Sequence, residues 1–159
     1  MTIALATNEA ADLVELQTSR IQEAIDTVAA RGGGTVRIGS GIHRIGTIFL
    51  RSRVTLHLEN GCVLKGSSDI ADYPEVAGGF TDAVGQQRNR CLIYAEDTIG
   101  TAITGEGIID GSGGDYGFEE DGRPFMVRFI DCEDVQVTGI TLQNSPGWVS
   151  HYLGCENVR

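Results

Sequence analysis

Trp148 and His151 stand three residues apart in "SPGWVSH", a run entered through Ser145-Pro146-Gly147, and Trp148 is the sole tryptophan. An indole and an imidazole on one outward surface suit a sugar. The indole packs on the apolar face of a pyranose, and the imidazole bonds a hydroxyl or carboxylate. The same two residues also suit a structural arrangement, one packed inward and the other capping a turn, and their types and spacing leave both open. His57 lies on the polar side of an alternating run, Val54 to Glu59, and reads as a surface residue. His43 follows Ile42 in a short strand-like run and is expected to face outward too. No serine is placed for a Ser-His-Asp arrangement.

Carboxylates are plentiful, yet none pairs for acid–base work. Asp115, Glu119, Glu120 and Asp121, in "GGDYGFEEDGRP", match no calcium-loop spacing and read as a solvated loop. Asp110 stands before Gly111-Ser112-Gly113 and reads as a turn-former bonding its own backbone. Gly105-Glu106-Gly107 is no dinucleotide fingerprint, because Asp110 replaces the third glycine and no helix follows. Gly32-Gly33-Gly34 lacks the Lys-Ser/Thr of a phosphate loop and follows a helix instead of opening one. Cys62, Cys91, Cys132 and Cys155 form no C-x-x-C pair. They read as reduced, mostly buried thiols rather than a zinc or redox site. No cofactor and no metal are expected.

The net charge of −10 repels phosphate backbones, so nucleic acid is not an expected partner. No apolar run approaches a membrane span, and "MTIALATNEAADLVEL" has neither a basic leader nor a long apolar stretch. The expected location is the cytoplasm, off the membrane. With 41% hydrophobic residues the chain can bury a core, and 22 glycines against 3 prolines imply many turns between short strands.

One segment has a helical period. Ile21, Ala24, Ile25, Val28 and Ala29 share a face, Ser19 with Gln22 reads as a capping box, and Gly32 offers a left-handed end. After Gly34 the period is two: "TVRI", "HRIGTIFL", "VTLHLE", "CLIYA", "TAIT", "GIID", "FMVRFI", "DVQVTGITL" and "WVSHYL". Asn60-Gly61 is a hairpin-type dipeptide among few. Cys132-Glu133-Asp134-Val135 returns 23 residues later as Cys155-Glu156-Asn157-Val158, and Ile103-Thr104-Gly105 echoes Val137-Thr138-Gly139 at an offset of 34. A period near 23 residues fits a solenoid coil of three short strands and three turns. The reading is an all-β parallel β-helix forming one domain over residues 1–159, with a capping helix at 18–32 and coils over 35–159. The helix would plug an end that otherwise exposes unpaired backbone. Cys132 and Cys155 would stack on adjacent coils as a small-residue ladder, with regular spacing too wide for a disulfide.

Four blocks carry a family likeness: "IQEAIDTVAARGGGTVRIGSG", "GTIFLRSRVTLHLENGCVLKGSSDIADYP", "ITGEGIIDGSG" and "RPFMVRFIDCEDVQVTGITLQNSPGWVSHYLGCENV". Together they resemble glycoside hydrolase family 28, the polygalacturonases and their relatives, from about Ile21 to Arg159. The resemblance implies a right-handed, single-stranded parallel β-helix of the pectin-lyase-like type. It implies hydrolysis, with inversion, of glycosidic bonds in pectic polysaccharide or oligogalacturonides, and it places Trp148 and His151 in a substrate-binding block. Two departures matter. Where the family often carries paired tryptophans, Tyr116 and Phe118 stand here. The family's N-x-D, Asp-Asp, Gly-His-Gly and Arg-x-Lys segments are also missing from these residues. No residue inherits a catalytic role, and the chain is expected to be an N-terminal portion, its catalytic aspartates lying beyond residue 159.

Physical argument agrees. Inversion needs an acid and a base about 6.5–9.5 Å apart. Asp131, Glu133, Asp134 and Glu156 fall in turns after the strands, away from the Trp148 face. An anionic polygalacturonate would also be repelled unless local cations overcome the field. A second class of function is an inactive β-helix scaffold or carbohydrate-binding fragment. A third is a lyase, which would need a calcium cluster on the strands. The coil holding Trp148 to Arg159 is expected to lie open, with Val149, Leu153 and Val158 inviting self-association.

Overall fold

The computed structural model describes residues 1–6, 15–76, 80–81, 83, 85, 87–114 and 122–159. The acidic residues Asp115, Glu119, Glu120 and Asp121, with Tyr116 and Phe118, lie outside these.

The chain opens with β1 (Thr2–Leu5) and α1 (Thr18–Ala30), and four coils follow. The first holds β2 (Gly34–Ile38), β3 (Gly41–Ile45) and β4 (Ile48–Phe49). The second holds β5 (Val54–Leu58) and β6 (Cys62–Gly66). It then makes an excursion containing a short antiparallel pair, β7 (Phe80–Thr81) and β8 (Gln87–Arg88), and ends in β9 (Cys91–Glu96). The third holds β10 (Ala102–Gly105), β11 (Ile108–Asp110) and β12 (Phe125–Ile130), and the fourth β13 (Gln136–Thr138), β14 (Thr141–Gln143) and β15 (Ser150–Leu153).

Corresponding strands stack into three parallel sheets, ordered β1-β2-β5-β10-β13, β3-β6-β11-β14 and β4-β9-β12-β15. This is the expected β-helix. Register partners show the variable pitch: Val36 pairs with Leu56, Leu56 with Ile103 and Ile103 with Val137, steps of 20, 47 and 34 residues in chain number. The last step, from Phe129 to Tyr152, is 23. Insertions in the turns absorb the excess while inward residues stay in line. Those inward rows, such as Ile48–Ile93–Val127, fill one continuous core.

The repeated phrase marks a turn. Arg53, Gly100, Asp134 and Asn157 have left-handed φ values of 59°, 68°, 55° and 53°. Gly100 N donates to the Glu133 carbonyl at 2.9 Å, and Asp134 N to the Glu156 carbonyl at 3.1 Å. Asn157 Nδ2 donates to Asp134 Oδ1 at 3.1 Å. Glycine and short polar residues adopt this backbone most readily, so Asp and Asn recur there. Nearby, Thr98 Oγ1 donates to Cys132 Sγ at 3.2 Å inside the coil, Cys155 packs against the core that contains Cys132, and the four cysteines are free thiols.

The helix packs Ile21, Ala24, Ile25 and Val28 onto the core, as its period predicts. Its start differs from expectation. The N-cap is Gln17, without a side-chain cap bond, and Ser19-Gln22 forms no capping box. Gln22 instead reaches β4, where its Nε2 donates to the Phe49 carbonyl (2.9 Å) and its Oε1 accepts from Phe49 N (2.8 Å). The amide thus satisfies an edge strand that would otherwise invite pairing. The helix ends at Ala30, and Gly32 follows with φ 92°.

Three further differences have physical reasons. His43 faces inward and is 1% exposed. It shares the parity of the buried Ile45, so Ile42 and Arg44 take the outside, and its Nε2 lies 3.0 Å from the Gly39 carbonyl. Asn60-Gly61 links β5 to β6 in different parallel sheets and makes no hairpin. β1 was not foreseen: its four residues have no turn signal before them, yet they pair with β2 in parallel.

Candidate functional site

The strand that builds the site is β12, "FMVRFI". Met126, Val127 and Phe129 enter the coil core, while Phe125 and Ile130 belong to a second apolar layer outside the third sheet. Cys91, Tyr94, Phe49 and, from the excursion, Val76 complete that layer. Arg128, between two inward residues, takes the outer side. It aligns with Tyr94 on β9 and His151 on β15, and Tyr94 aligns with Phe49 on β4. The row Phe49–Tyr94–Arg128–His151 therefore crosses four strands. At its β4 end lies a groove of about 320 Å³ bounded by Phe49, Arg51, Glu75, Tyr94 and Glu96.

Trp148 precedes β15 instead of lying within it. Its position is still set by the ladder: Met126 N donates to the Trp148 carbonyl at 2.9 Å and Val127 N to that of Val149 at 3.1 Å. The approach requires Gly147, since a Cβ there would stand 2.9 Å from the Pro124 carbonyl oxygen. The indole lies parallel on Phe125, with centroids 5.2 Å apart and planes within 6°. His151 stands 5.7 Å from the Trp148 ring and 5.4 Å from that of Phe125. Arg128 is fully buried, its Cζ 5.2 Å from the Phe125 centroid.

The structure thus brings Trp148 and His151 together outside the coil, with the indole 51% exposed. Burial, aided by Arg128, pushes the His151 pKa below its usual value. Burial lowers that of Arg128 too, against the opposing influence of Cys91, Tyr94 and Glu96. The result is an exposed aromatic plate beside an imidazole biased toward neutrality. That combination can stack on a sugar ring and exchange hydrogen bonds with its hydroxyls. Sequence reasoning missed Arg128, although a lone cation within an apolar strand was the available signal.

Among the described carboxylates near the site, Asp110 is tied into the fold. Asp110 Oδ1 accepts from Ser112 N at 2.8 Å, the expected turn bond. Its Oδ2 accepts from Gln143 Nε2 and Asn144 Nδ2, each at 2.8 Å. Burial opposes its ionisation, but the bonds from Gln143, Ser112 and Asn144, with Lys65 nearby, hold its pKa below the usual value. Asp131 and Asp134 occupy left-handed turn positions, and Glu133 bridges to Glu156 outside the strands. Among the described residues no group of three or more His, Cys, Asp or Glu gathers to hold a metal ion. No described helix is long and apolar enough to cross a membrane.

No family model matches the chain. It is 30% identical, over 158 residues and 90% of its length, to a Vitis vinifera protein named "Probable polygalacturonase". It covers 32% of that protein, so it spans about a third of the length of this curated relative. The exopolygalacturonase of Thermotoga maritima superposes with a TM-score of 0.82 at 25% identity, over 98% of this chain and 45% of that one. The family 28 exopolygalacturonase of Yersinia enterocolitica shares the fold at a TM-score of 0.79 and 21% identity, over 99% of this chain and 37% of that one. The chain is homologous to the polygalacturonases of glycoside hydrolase family 28 over a portion of their length.

Proposed function

We propose that these residues supply a sugar-binding face of a polygalacturonase-type hydrolase. The whole enzyme would cut glycosidic bonds in pectin or oligogalacturonides with inversion. In this reading Trp148 stacks on a sugar ring and His151 bonds a hydroxyl or carboxylate. The aspartates that carry out hydrolysis lie outside residues 1–159. The observation that carries the reading is the exposed Trp148 plate, held on Phe125 with His151 at its side.

Two measurements on this chain test it. Trigalacturonate should quench or shift the fluorescence of Trp148, the sole tryptophan, while reducing ends released from polygalacturonate stay at the level of a boiled control. Turnover above that control would overturn the placement of the catalytic aspartates. An unresponsive indole at millimolar ligand would favour the second reading, a β-helix scaffold without sugar affinity.

A further inference from the structure

Arg128 is the largest fully buried side chain among the described residues, yet it lies outside the coil core. Few charged groups are buried so completely without a specific task, because desolvation of a cation is costly. Its surroundings indicate the task. The guanidinium stands over the Phe125 ring at 5.2 Å. That ring also carries the Trp148 indole, and its centroid lies 5.4 Å from that of His151. On the β15 side Arg128 aligns with His151, and on the β9 side with Tyr94.

We infer that Arg128 is a positioning residue: from beneath the outer layer it fixes the Phe125 ring that carries Trp148 and sets the electrostatic surroundings of His151. The inference rests on the sugar-face reading for its consequence, but not for its geometry. A planar guanidinium holds an aromatic face by cation–π attraction, which strengthens as water is excluded. Phe125 then cannot turn without losing both the cation and the indole. The same charge discourages a second cation next to it, so His151 meets its ligand as a neutral imidazole.

Among the described residues, the titratable and charged groups around the pair lie on three elements. On β9, Cys91, Tyr94 and Glu96 face Arg128, with Tyr94 Oη donating to Glu96 Oε2 at 2.9 Å. On the segment that brings Val76 to this layer, Glu75 is paired with Arg90 at 3.2 Å. Across on β15 stands His151 itself. Burial pushes the Cys91 thiol up to about 12, so it stays neutral. Among the described residues, Arg128 is the cation that acts on His151.

The test uses Arg128→Met, which removes the charge, and Arg128→Lys, which keeps charge but loses the planar fork. Two readouts need no ligand. One is the titration midpoint of the His151 ring protons, assigned with His151→Asn. The other is the near-ultraviolet circular dichroism of the single tryptophan. Arg128→Met should raise the His151 midpoint and weaken the indole band. Arg128→Lys should restore the midpoint but not the band. A folded Arg128→Met chain with both signals unchanged would overturn the inference, as would a Lys variant with a fully native indole band. Loss of the fold in both variants would also overturn it, since Arg128 would then serve the coil and not the face. A third arm measures trigalacturonate affinity, expected to fall roughly fivefold in Arg128→Met. If the first two signals move as expected while the parent chain binds no trigalacturonate, the sugar reading fails and the positioning role stands.

Discussion

Trp148 lies flat on Phe125, 5.2 Å between centroids and 6° between planes, and the two rings come from successive coils, one on β12 and one just before β15. The outward face of the indole is thereby presented to solvent at a fixed tilt. Rigidity matters for a stacking site, because an indole free to rotate would lose side-chain entropy on binding. The arrangement has a counterpart inside the coil, where Tyr152 stacks on Phe129 at 5.6 Å and 5°. One register between β12 and β15 sets both stacks.

On the proposed reading, replacing the indole should weaken sugar binding more than folding. Trp148→Ala is expected to reduce affinity for trigalacturonate roughly three- to tenfold, the worth of one aromatic contact. Its effect on stability should be limited to about 1 kcal/mol from the lost stack. Calorimetric titration alongside a thermal melt separates the two, and Trp148→Phe should recover most of the affinity.

Asp110 makes the opposite prediction, a stability effect with little influence on the Trp148 surface. Asp110→Ala would leave Gln143, Asn144 and the Ser112 amide without their acceptor, costing about 2–3 kcal/mol. Because its folded pKa lies below the usual 3.8, the carboxylate stabilises the fold above that value. The contribution fades as pH falls through the lower, folded value. Urea denaturation from pH 6 downward should show a shallower acid loss in Asp110→Asn than in the parent chain.

Thiol reactivity should follow burial. The Cys62 and Cys91 thiols are each pushed up to about 12, chiefly by burial, and Cys132 is buried as well. Thiolates are the reactive species, so these three should resist a disulfide reagent at pH 8. Only Cys155, partly exposed, should react promptly in the native chain, whereas all four should react in denaturant. Prompt reaction of two or more thiols would mean that the coil opens far more readily than its packing implies.

Much of this architecture was legible because a solenoid repeats its errors and its rules alike. The Cys-Glu-Asp/Asn phrase marks a left-handed turn, and the Ile-Thr-Gly and Val-Thr-Gly echo marks adjacent strands, paired as Ile103 with Val137. Local pattern failed where tertiary contacts decide. Gln22 has the spacing of a capping box, but the unpaired backbone of Phe49 offers it a better partner. His43 shows a parity misjudged from Ile42, although Ile45 gave the correct phase. The Trp148–His151 pair was visible in sequence, while the Phe125 and Arg128 beneath it were not, since nothing local says which strand the next coil will lie on.

The glycine echo supplies a final prediction. Gly105 has φ 119°, and a Cβ there would stand 2.0 Å from the Leu58 carbonyl oxygen. In the next coil Gly139 has φ 78°, and its Cβ would meet the Gly105 carbonyl at 2.3 Å. Each glycine lets its coil settle onto the backbone of the coil before it, so an added methyl must push two coils apart or twist the turn. Strain in the left-handed region costs about 1–2 kcal/mol on its own, and the backbone clash adds to it. Gly105→Ala should therefore destabilise the fold by more than about 2 kcal/mol. Gly114→Ala, where a Cβ meets nothing within 4 Å, should be nearly neutral. Equal melting temperatures for the two variants would show that the coils are not held in contact at this turn.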